Sequence, residues 1–306
     1  MMHSISDIQH GVDKGDFLLL AKAISFIENN KEGATTFLEA LAPANIPIIG
    51  VTGPPGAGKS TLINALISTW VEEGKKVAVL SVDPSSPFHQ GAILGDRIRM
   101  KDWYLHAQVY IRSLAARGHL GGLNSAMLSL TTLMQSAGFD YIVVETVGVG
   151  QSEVEIASLA DTTVVVLVPE AGDEVQMMKS GLMEIANVFV VNKSDRPNAQ
   201  IFVNHLKQMI AENTPAENTP AENTPQVVST IATEREGIAE LLNVIKVHQL
   251  ALHDGAQKNE MLFTKVMQLI MASKMNQVDI EKVKLNLASE SKKAHFNIFK
   301  FAQSFY

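Results

Sequence analysis

A glycine-rich segment, Gly53 to Ser60, constrains the fold of this chain more than any other feature. It reads GPPGAGKS and fits the pattern G-x-x-x-x-G-K-[ST]. An apolar run at 46–51 precedes it and a helical pattern from Leu62 follows it. Glycines at such a junction let successive backbone N–H groups face one anion at the positive end of the helix. The segment therefore predicts an α/β fold with a phosphate-binding loop after its first strand.

The residues of this loop have separate expected roles. Lys59 would reach the β- and γ-phosphates of a nucleotide, and Ser60 would give its hydroxyl to Mg²⁺. The other expected nucleotide contacts are Gly53, Pro54, Gly56, Ala57, Gly58 and Thr61. A glycine-rich turn without a ligand is the alternative, and the strand and helix on either side disfavour it.

A second motif, NKSD at 192–195, follows the apolar run 188–191. The Asp195 carboxylate can accept hydrogen bonds from N1–H and the 2-amino group of guanine, and adenine lacks both donors. Asn192 would support the loop and the base edge, while the stem of Lys193 would cover the ring face. Four such residues alone also fit a solvated turn. Downstream of a phosphate loop, they favour GTP over ATP.

Acidic residues at strand ends suggest a magnesium site. The strand 141–145 ends in Glu145, and Gly148 follows three residues later. This spacing is typical of an acid on the metal side of a nucleotide site followed by a glycine that senses the γ-phosphate. Asp83 and Asp96 are further candidates, because a hard cation takes carboxylates and water. The alternatives to a metal site are that Glu145 is only a charge at the end of a strand and that each of the two aspartates caps a helix. The expected catalytic residues are Lys59, Asp83, Glu145 and Gly148, and the expected metal ligands are Ser60, Asp83, Asp96 and Glu145.

Four arginines, at 97, 99, 112 and 117, lie near these acids in the sequence. They are candidates to stabilise phosphate charge. Surface ion pairs with Asp96 and Asp102 explain some of them equally well.

Apolar strand candidates alternate with helical patterns from residue 46 to about 250. The candidate strands after the first are 77–82, 109–112, 141–145, 163–168, 188–191 and 226–229. This alternation predicts a mainly parallel sheet with helices on both faces. A helical pattern over 14–42 precedes the sheet. We therefore divide the chain into an amino-terminal helical segment (1–44), a P-loop domain (45–255) and a carboxy-terminal helical arm (256–306).

The pentapeptide AENTP occurs three times in tandem over 211–225. Prolines at every fifth position forbid a continuous helix, and the polar composition cannot form a core. We interpret the repeats as a solvated loop, with a partner-binding motif as the alternative.

An apolar helical stripe over 261–271 lies beyond the P-loop domain. Such a stripe is more often part of a core than an interface. Its position after the nucleotide domain makes a dimerisation arm a competing interpretation.

Composition limits the partners and the compartment. The chain has 306 residues, a formal net charge of −7 and no cysteine. The charge argues against nucleic acid as a partner, and the lack of cysteine excludes disulfides and thiolate metal sites. No signal-like stretch and no apolar run long enough for a bilayer is present. We expect a cytoplasmic protein without a membrane partner.

The motifs together resemble those of the MeaB/ArgK group of P-loop GTPases, to which the human cobalamin protein MMAA is related. The matching segments are GPPGAGKSTL at 53–62, VDPSSP at 82–87, ILGDRIRM at 93–100, RSLAARGHLGGLN at 112–124, VVETVGVGQSEVEIA at 143–157, PEAGDEVQMMKSG at 169–181 and VVNKSD at 190–195. The resemblance is specific, because ETVGVGQSE and AGDE are not general features of phosphate-loop proteins.

The resemblance implies a SIMIBI-type G domain that binds GTP or GDP with Mg²⁺. It further implies a homodimeric GTPase chaperone of adenosylcobalamin-dependent methylmalonyl-CoA mutase, which gates cofactor loading, protects the mutase and helps to eject damaged cofactor. Gly148 and Gln151 would lie in the second switch, and Asp173 and Lys179 in a loop that responds to the mutase. The chain departs from the family at 88–92, where FHQGA replaces a Thr-Gly-Gly-Ser type stretch.

Two other functions remain open from the residues. A metallochaperone-type GTPase would share the fold, but it should carry Cys- or His-rich metal ligands. A transport-linked ATPase or kinase, the older assignment for ArgK, is hard to reconcile with the NKSD motif.

Overall fold

The computed structural model describes residues 4–84, 100–116, 122–146, 155–169, 181–213, 224–252, 256–290 and 297–305. Within these ranges, seven strands form one sheet, in which all the pairs are parallel. The strands are β1 (Ile48–Thr52), β2 (Val77–Pro84), β3 (Val109–Ala116), β4 (Tyr141–Thr146), β5 (Thr162–Leu167), β6 (Val188–Asn192) and β7 (Gln226–Thr230). The predicted parallel α/β architecture is confirmed.

Helices cover both faces of this sheet. They are α1 (Ile5–Asp13), α2 (Phe17–Glu28), α3 (Ala34–Glu39), α4 (Lys59–Glu72), α5 (Gly122–Ser136), α6 (Leu182–Ile185), α7 (Ala199–Asn213), α8 (Ile238–Leu252), α9 (Ala256–Asn276), α10 (Ile280–Glu290) and α11 (Ile298–Gln303). Helices α4 and α8 pack on one face, while α1–α3, α5, α6 and α7 pack on the other. Among the described residues, no helix is both long and apolar enough to span a membrane.

The strand order, β3-β2-β4-β1-β5-β6-β7, places β1 in the middle of the sheet. All the residues of β1, β5 and β6 are buried, as expected for parallel strands covered on both faces. From β1 the chain passes through α4 to β2, whereas from β4 it crosses to β5 on the other side of β1. Ligands of such sheets bind at the carboxyl ends of the strands where the connections diverge. That point lies at the ends of β1 and β4.

The amino-terminal helical pattern predicted over 14–42 is divided between two helices, α2 and α3, and α1 precedes them. Asp16 begins α2 by accepting hydrogen bonds from the N–H groups of Leu18 and Leu19. Gly33, at φ 88°, begins α3. Seven buried side chains of these helices belong to the same cluster as those of α5 and the sheet: Ile8, Val12, Leu20, Ala23, Ile24, Ile27 and Phe37. The amino-terminal helices thus share the core of the nucleotide domain.

The tandem repeats begin inside a helix. Helix α7 continues to Asn213, so the first three residues of the first repeat are helical. The chain enters β7 at Gln226, directly after the last repeat. Residues 214–223, which hold most of the predicted loop, lie outside the described residues.

The carboxy-terminal helix α9 is attached to the start of the central strand. Lys265 forms a 3.0 Å ion pair with Oδ1 of Asp161, and Oδ2 of Asp161 accepts a 2.7 Å hydrogen bond from the N–H of Ile48. Much of the predicted apolar stripe nevertheless faces outward. The side chains that are 44–60% exposed on α9 are Leu262, Phe263, Val266, Leu269, Ile270 and Met271. The described residues of α10 include none that is buried.

Candidate functional site

The glycine-rich loop connects β1 to α4 in the position expected for a phosphate loop. Gly53, Gly56 and Gly58 have φ angles of 134°, 80° and 90°. A Cβ atom at Gly53 would overlap the carbonyl oxygen of Val166, and one at Gly58 would overlap the Asn192 amide. No side chain of the described residues caps the amino terminus of α4, which begins directly after Gly58. The loop therefore presents the positive end of this helix to a ligand.

Lys59 folds back over the loop that precedes it. Its Nζ donates hydrogen bonds to the carbonyl oxygens of Gly53 (2.7 Å) and Pro54 (3.0 Å), and the residue is only 7% exposed. These bonds place the ammonium group among the backbone groups of the phosphate loop. A phosphate bound there would be close to a fixed positive charge.

Ser60 and Glu145 bring two hard oxygen donors together. The Ser60 hydroxyl donates a 2.8 Å hydrogen bond to Oε1 of Glu145, and the Ser81 hydroxyl donates a longer one, of 3.4 Å, to Oε2. All three residues are buried. Mg²⁺ is typically bound by one or two protein oxygens together with phosphate and water. The chemistry of this donor set fits Mg²⁺.

The other predicted metal-side acids are described only in part. The backbone of Asp83 lies in β2, whose Val82 is paired with Thr146 of β4, so both strands end at the same edge of the sheet. The side chain of Asp83 lies outside the described residues, as does the whole of Asp96. Other candidates from the sequence that lie there are Gly148, Gln151, Asp173, Lys179, Arg97, Arg99 and Arg117.

Arg112, the fourth arginine, makes a contact that the sequence did not predict. It forms a 3.1 Å ion pair with Glu28 at the end of α2. The structure thus pairs Arg112 with an amino-terminal helix.

Asn192 is buried at the end of β6 and joins three segments. Its Nδ2 donates a 3.0 Å hydrogen bond to the carbonyl oxygen of Ala57 in the phosphate loop. Its Oδ1 accepts hydrogen bonds from the Thr230 hydroxyl (3.1 Å) and from the N–H of Ala232 (3.2 Å). The residue is 2% exposed, so each of these bonds replaces one to water. Asn192 therefore links the NKSD loop to the phosphate loop and to the end of β7.

Lys193 makes a second link between the same two loops. Its Nζ donates a 2.8 Å hydrogen bond to the carbonyl oxygen of Gly56, and its backbone adopts a positive φ of 56°. Ser194 holds the turn, because its N–H donates to Thr230 O (3.1 Å) and its hydroxyl donates to Val191 O (2.7 Å). Asp195 follows with an exposed side chain. The predicted base-binding residues are thus placed beside the phosphate loop.

Sequence reasoning missed several residues around this site. Ser81, Thr230 and Ala232 contact the predicted residues, and Thr52 and Thr146 form a hydrogen-bonded pair at the ends of β1 and β4. For the serine and the threonines, the available signal was a hydroxyl group near the end of an otherwise apolar strand, whereas Ala232 contributes only its backbone N–H. Such a hydroxyl group has to find a partner when it is buried.

Comparisons with known proteins extend these findings. The profile of a family described as "Methylmalonyl Co-A mutase-associated GTPase MeaB" matches residues 20–286. A putative GTPase of Pyrococcus horikoshii is 42% identical over 267 residues, which cover 87% of this chain and 84% of the relative. The mouse protein named "Methylmalonic aciduria type A homolog, mitochondrial" is 38% identical over 201 residues, or 60% of this chain and 48% of its own.

One solved structure shares the fold over nearly the whole length. The crystal structure of an LAO/AO transport system kinase superposes with a TM-score of 0.72 at 24% identity, covering 99% of each chain. This similarity confirms the predicted P-loop NTPase fold.

Proposed function

This chain belongs to the MeaB family of GTPases, and we propose that it is a cytoplasmic, GTP-dependent chaperone of an adenosylcobalamin-dependent methylmalonyl-CoA mutase. Its predicted family and GTPase activity are confirmed by the match over 20–286 and by the relative named as a GTPase. The observation that carries the chaperone proposal is the description of the matching family as associated with this mutase. The proposed role is to gate loading of the cobalamin cofactor and to protect and reactivate the client.

In the proposed site, the loop 53–58 and Lys59 bind the phosphates, and Asp195 accepts hydrogen bonds from guanine. The support for this placement is that Asn192 and Lys193 tie the NKSD loop to Ala57 and Gly56. A nucleotide would then contact two loops whose relative position is fixed before it binds. Such preorganisation lowers the cost of ordering on binding.

We propose that Ser60 and Glu145 contribute to a Mg²⁺ site, together with Asp83 and Asp96, and that Gly148 senses the γ-phosphate. When bound there, Mg²⁺ would neutralise charge on the phosphate oxygens. The residues themselves orient the phosphates: Lys59 from the loop, and the helix α4 through its amino terminus. Phosphoryl transfer depends mainly on such positioning and charge stabilisation.

The sheet topology supports control by a client. The segment 147–154 leaves the end of β4, and the segment 170–180 follows the end of β5. Both strands are direct neighbours of β1, which leads into the phosphate loop. A client that contacts either segment would therefore act beside the nucleotide, and ordering of such segments is a known way to switch GTPases.

We also propose that the protein is a homodimer that pairs through its carboxy-terminal arm. Six large apolar side chains of α9 are 44–60% exposed, and Leu285 of α10 is 72% exposed. Monomers rarely expose so many apolar side chains on one element. In light scattering, we expect the full chain to be a dimer and the double variant Phe263→Glu/Ile270→Glu to be a monomer. A monomeric wild-type chain would contradict this proposal.

The chaperone role is tested by measuring GTP hydrolysis with purified mutase. We expect slow hydrolysis by the protein alone and a stimulation of at least about tenfold when holo-mutase is added, because a bound client can order the switch segments. An unrelated acyl-CoA enzyme serves as the control. Fast hydrolysis that is unaffected by the mutase would remove the main support for the chaperone role, while leaving the GTPase assignment intact.

A further inference from the structure

Two threonines form a buried hydroxyl pair beside the proposed nucleotide site. Thr52 is the last residue of β1, and Thr146 is the last residue of β4. The Thr146 hydroxyl donates a 2.8 Å hydrogen bond to the Thr52 hydroxyl oxygen. Both residues are buried, with 0% and 1% exposure. Because neither side chain reaches solvent, contact with water does not account for their hydroxyl groups.

The pair continues the contact between the two strands beyond their last backbone pairing. The register of β1 and β4 ends at Val51 opposite Glu145. Thr52 and Thr146 come next, and their side chains hold the strands together at the point where the two strands end. The phosphate loop begins directly after Thr52, and the segment that contains Gly148 begins directly after Thr146.

Residues of the proposed nucleotide site flank the pair on both strands. Gly53, which follows Thr52, accepts the 2.7 Å hydrogen bond from Lys59. Glu145, which precedes Thr146, accepts the 2.8 Å hydrogen bond from Ser60. A change in the distance between Thr52 and Thr146 would therefore move the lysine and the carboxylate relative to each other.

Stability alone does not require hydroxyl groups at these positions. Valine has nearly the same shape as threonine, and replacing both partners of a buried hydrogen bond by apolar groups of that shape is close to neutral. A hydrogen bond is directional, because it is strong only within a narrow range of distance and angle, whereas a contact between two valines is not. The hydrogen bond between Thr52 and Thr146 thus favours one relative position of the two strand ends, whereas two apolar side chains would allow several.

We infer that Thr52 and Thr146 are positioning residues for GTP hydrolysis. Their hydrogen bond fixes the separation between the start of the phosphate loop at Gly53 and Glu145 near the end of β4. In this inference, neither threonine contacts the nucleotide directly. Their effect is on the alignment of the reacting groups, on which phosphoryl transfer depends.

The test compares valine variants with a variant that retains the hydroxyl. We expect Thr52→Val/Thr146→Val to keep a Tm near that of the wild type and a GDP affinity within about twofold, while kcat falls at least about fivefold, as a typical coupling between sites predicts. KM for GTP should change less than kcat, because the lost interaction acts on alignment. Thr146→Ser should retain most of the wild-type kcat.

A matched control separates positioning from core packing. Thr131 is a fully buried threonine of α5, and its hydroxyl donates to the carbonyl oxygen of Met127 over 2.9 Å. Thr131→Val makes the same chemical change away from the nucleotide site, so we expect kcat to stay the same. Wild-type kcat in the double valine variant, or an equal loss in Thr131→Val, would overturn the inference.

A second comparison decides the question even if the valine variants do not fold. Thr146→Ser and Thr146→Ala both lose the methyl group, and they differ only in the hydroxyl. Assayed well below the Tm of each variant, the serine variant should be at least about fivefold faster in kcat. Equal kcat values for the two variants would show that the hydroxyl does not position the site.

Discussion

The Ser60 hydroxyl donates a hydrogen bond to Oε1 of Glu145 over 2.8 Å, and so joins the first turn of α4 to the end of β4. The two residues are 85 positions apart in the sequence. Both are buried, so the hydroxyl and the carboxylate hold this arrangement away from bulk water. Two oxygen donors suited to Mg²⁺ are thus adjacent in the folded chain itself.

Glu145→Gln should weaken Mg²⁺ binding without disturbing the fold. Glutamine retains an oxygen that can accept the Ser60 hydrogen bond, but it lacks the negative charge that a hard cation requires. Calorimetric titration of the GDP complex with Mg²⁺ should show an affinity at least about tenfold lower than in the wild type, comparable with the loss of a ligand-supporting group. GDP binding in EDTA should be unchanged. Glu240→Gln, on an exposed part of α8, is the control, and an unaltered Mg²⁺ affinity in Glu145→Gln would refute the assignment.

Asp195→Asn should change base selectivity. The asparagine amide presents a donor where the carboxylate accepted from guanine, so GTP loses affinity and xanthosine triphosphate, with an oxygen at position 2, gains it. Direct titration with labelled GTP should show an affinity reduced by at least about a hundredfold, since a mismatched polar group is left unpaired. Asp13→Asn, an exposed change at the end of α1, serves for comparison. Equal displacement of GDP by ATP and GTP in the wild type would contradict the guanine assignment.

Asn192→Ala should destabilise the fold as well as the site. The change removes the hydrogen bonds to Ala57, Thr230 and Ala232 and leaves their buried groups without these partners. We expect the free energy of unfolding to fall by about 2 kcal/mol or more, because each buried group that loses its partner costs ~1–3 kcal/mol. Urea denaturation measures this loss. Asn204→Ala, on the exposed face of α7, should leave stability within experimental error, and an equal effect of both variants would argue against the network.

Stability should decrease below neutral pH because of His248. Burial lowers the pKa of His248 below its ordinary value of 6.5, and Nδ1 lies 2.9 Å from the Thr162 hydroxyl. The unfolded chain therefore binds a proton at this residue before the folded chain does. The contribution of His248 to the free energy of unfolding is therefore constant above about pH 6.5 and falls as the pH drops from there towards the lowered pKa. Chemical denaturation of wild type and His248→Asn at several pH values should show a smaller slope in the variant, while an identical slope would rule out His248 as the source.

Local sequence patterns predicted the strand and the helix on either side of the phosphate loop. They did not predict contacts between residues that are far apart in the sequence. The glycine loop and the apolar run before it were sufficient to locate β1 and the start of α4. The helical pattern over 14–42 did not show the break between α2 and α3, where Gly33 adopts a positive φ of 88°, because apolar spacing alone does not indicate where one helix ends and the next begins. The ion pair between Arg112 and Glu28 joins residues 84 positions apart, and nothing local in the sequence indicates it.

The same limit applies within the site. Asn192 was predicted from its motif, but its partner Thr230 depends on the parallel register of β6 and β7, which pairs Asn192 with Thr230. The hydroxyl pair of Thr52 and Thr146 likewise depends on the register of β1 and β4. Register is set by the packing of whole strands between two layers of helices, so single motifs do not encode it.

The central position of β1 has a consequence for how the chain acquires its shape during synthesis. In the described part of the chain, the strand partners of residues 48–52 are β4 and β5, both of which are made much later. The strand before the phosphate loop thus leaves the ribosome early, but it has no neighbouring strand until β4 has followed and lacks its second until the chain has reached about Leu167. Parallel pairing between such distant segments is slow, because the entropy of closing the intervening chain must be overcome first. A loop that is made early in synthesis therefore becomes able to bind a nucleotide only late.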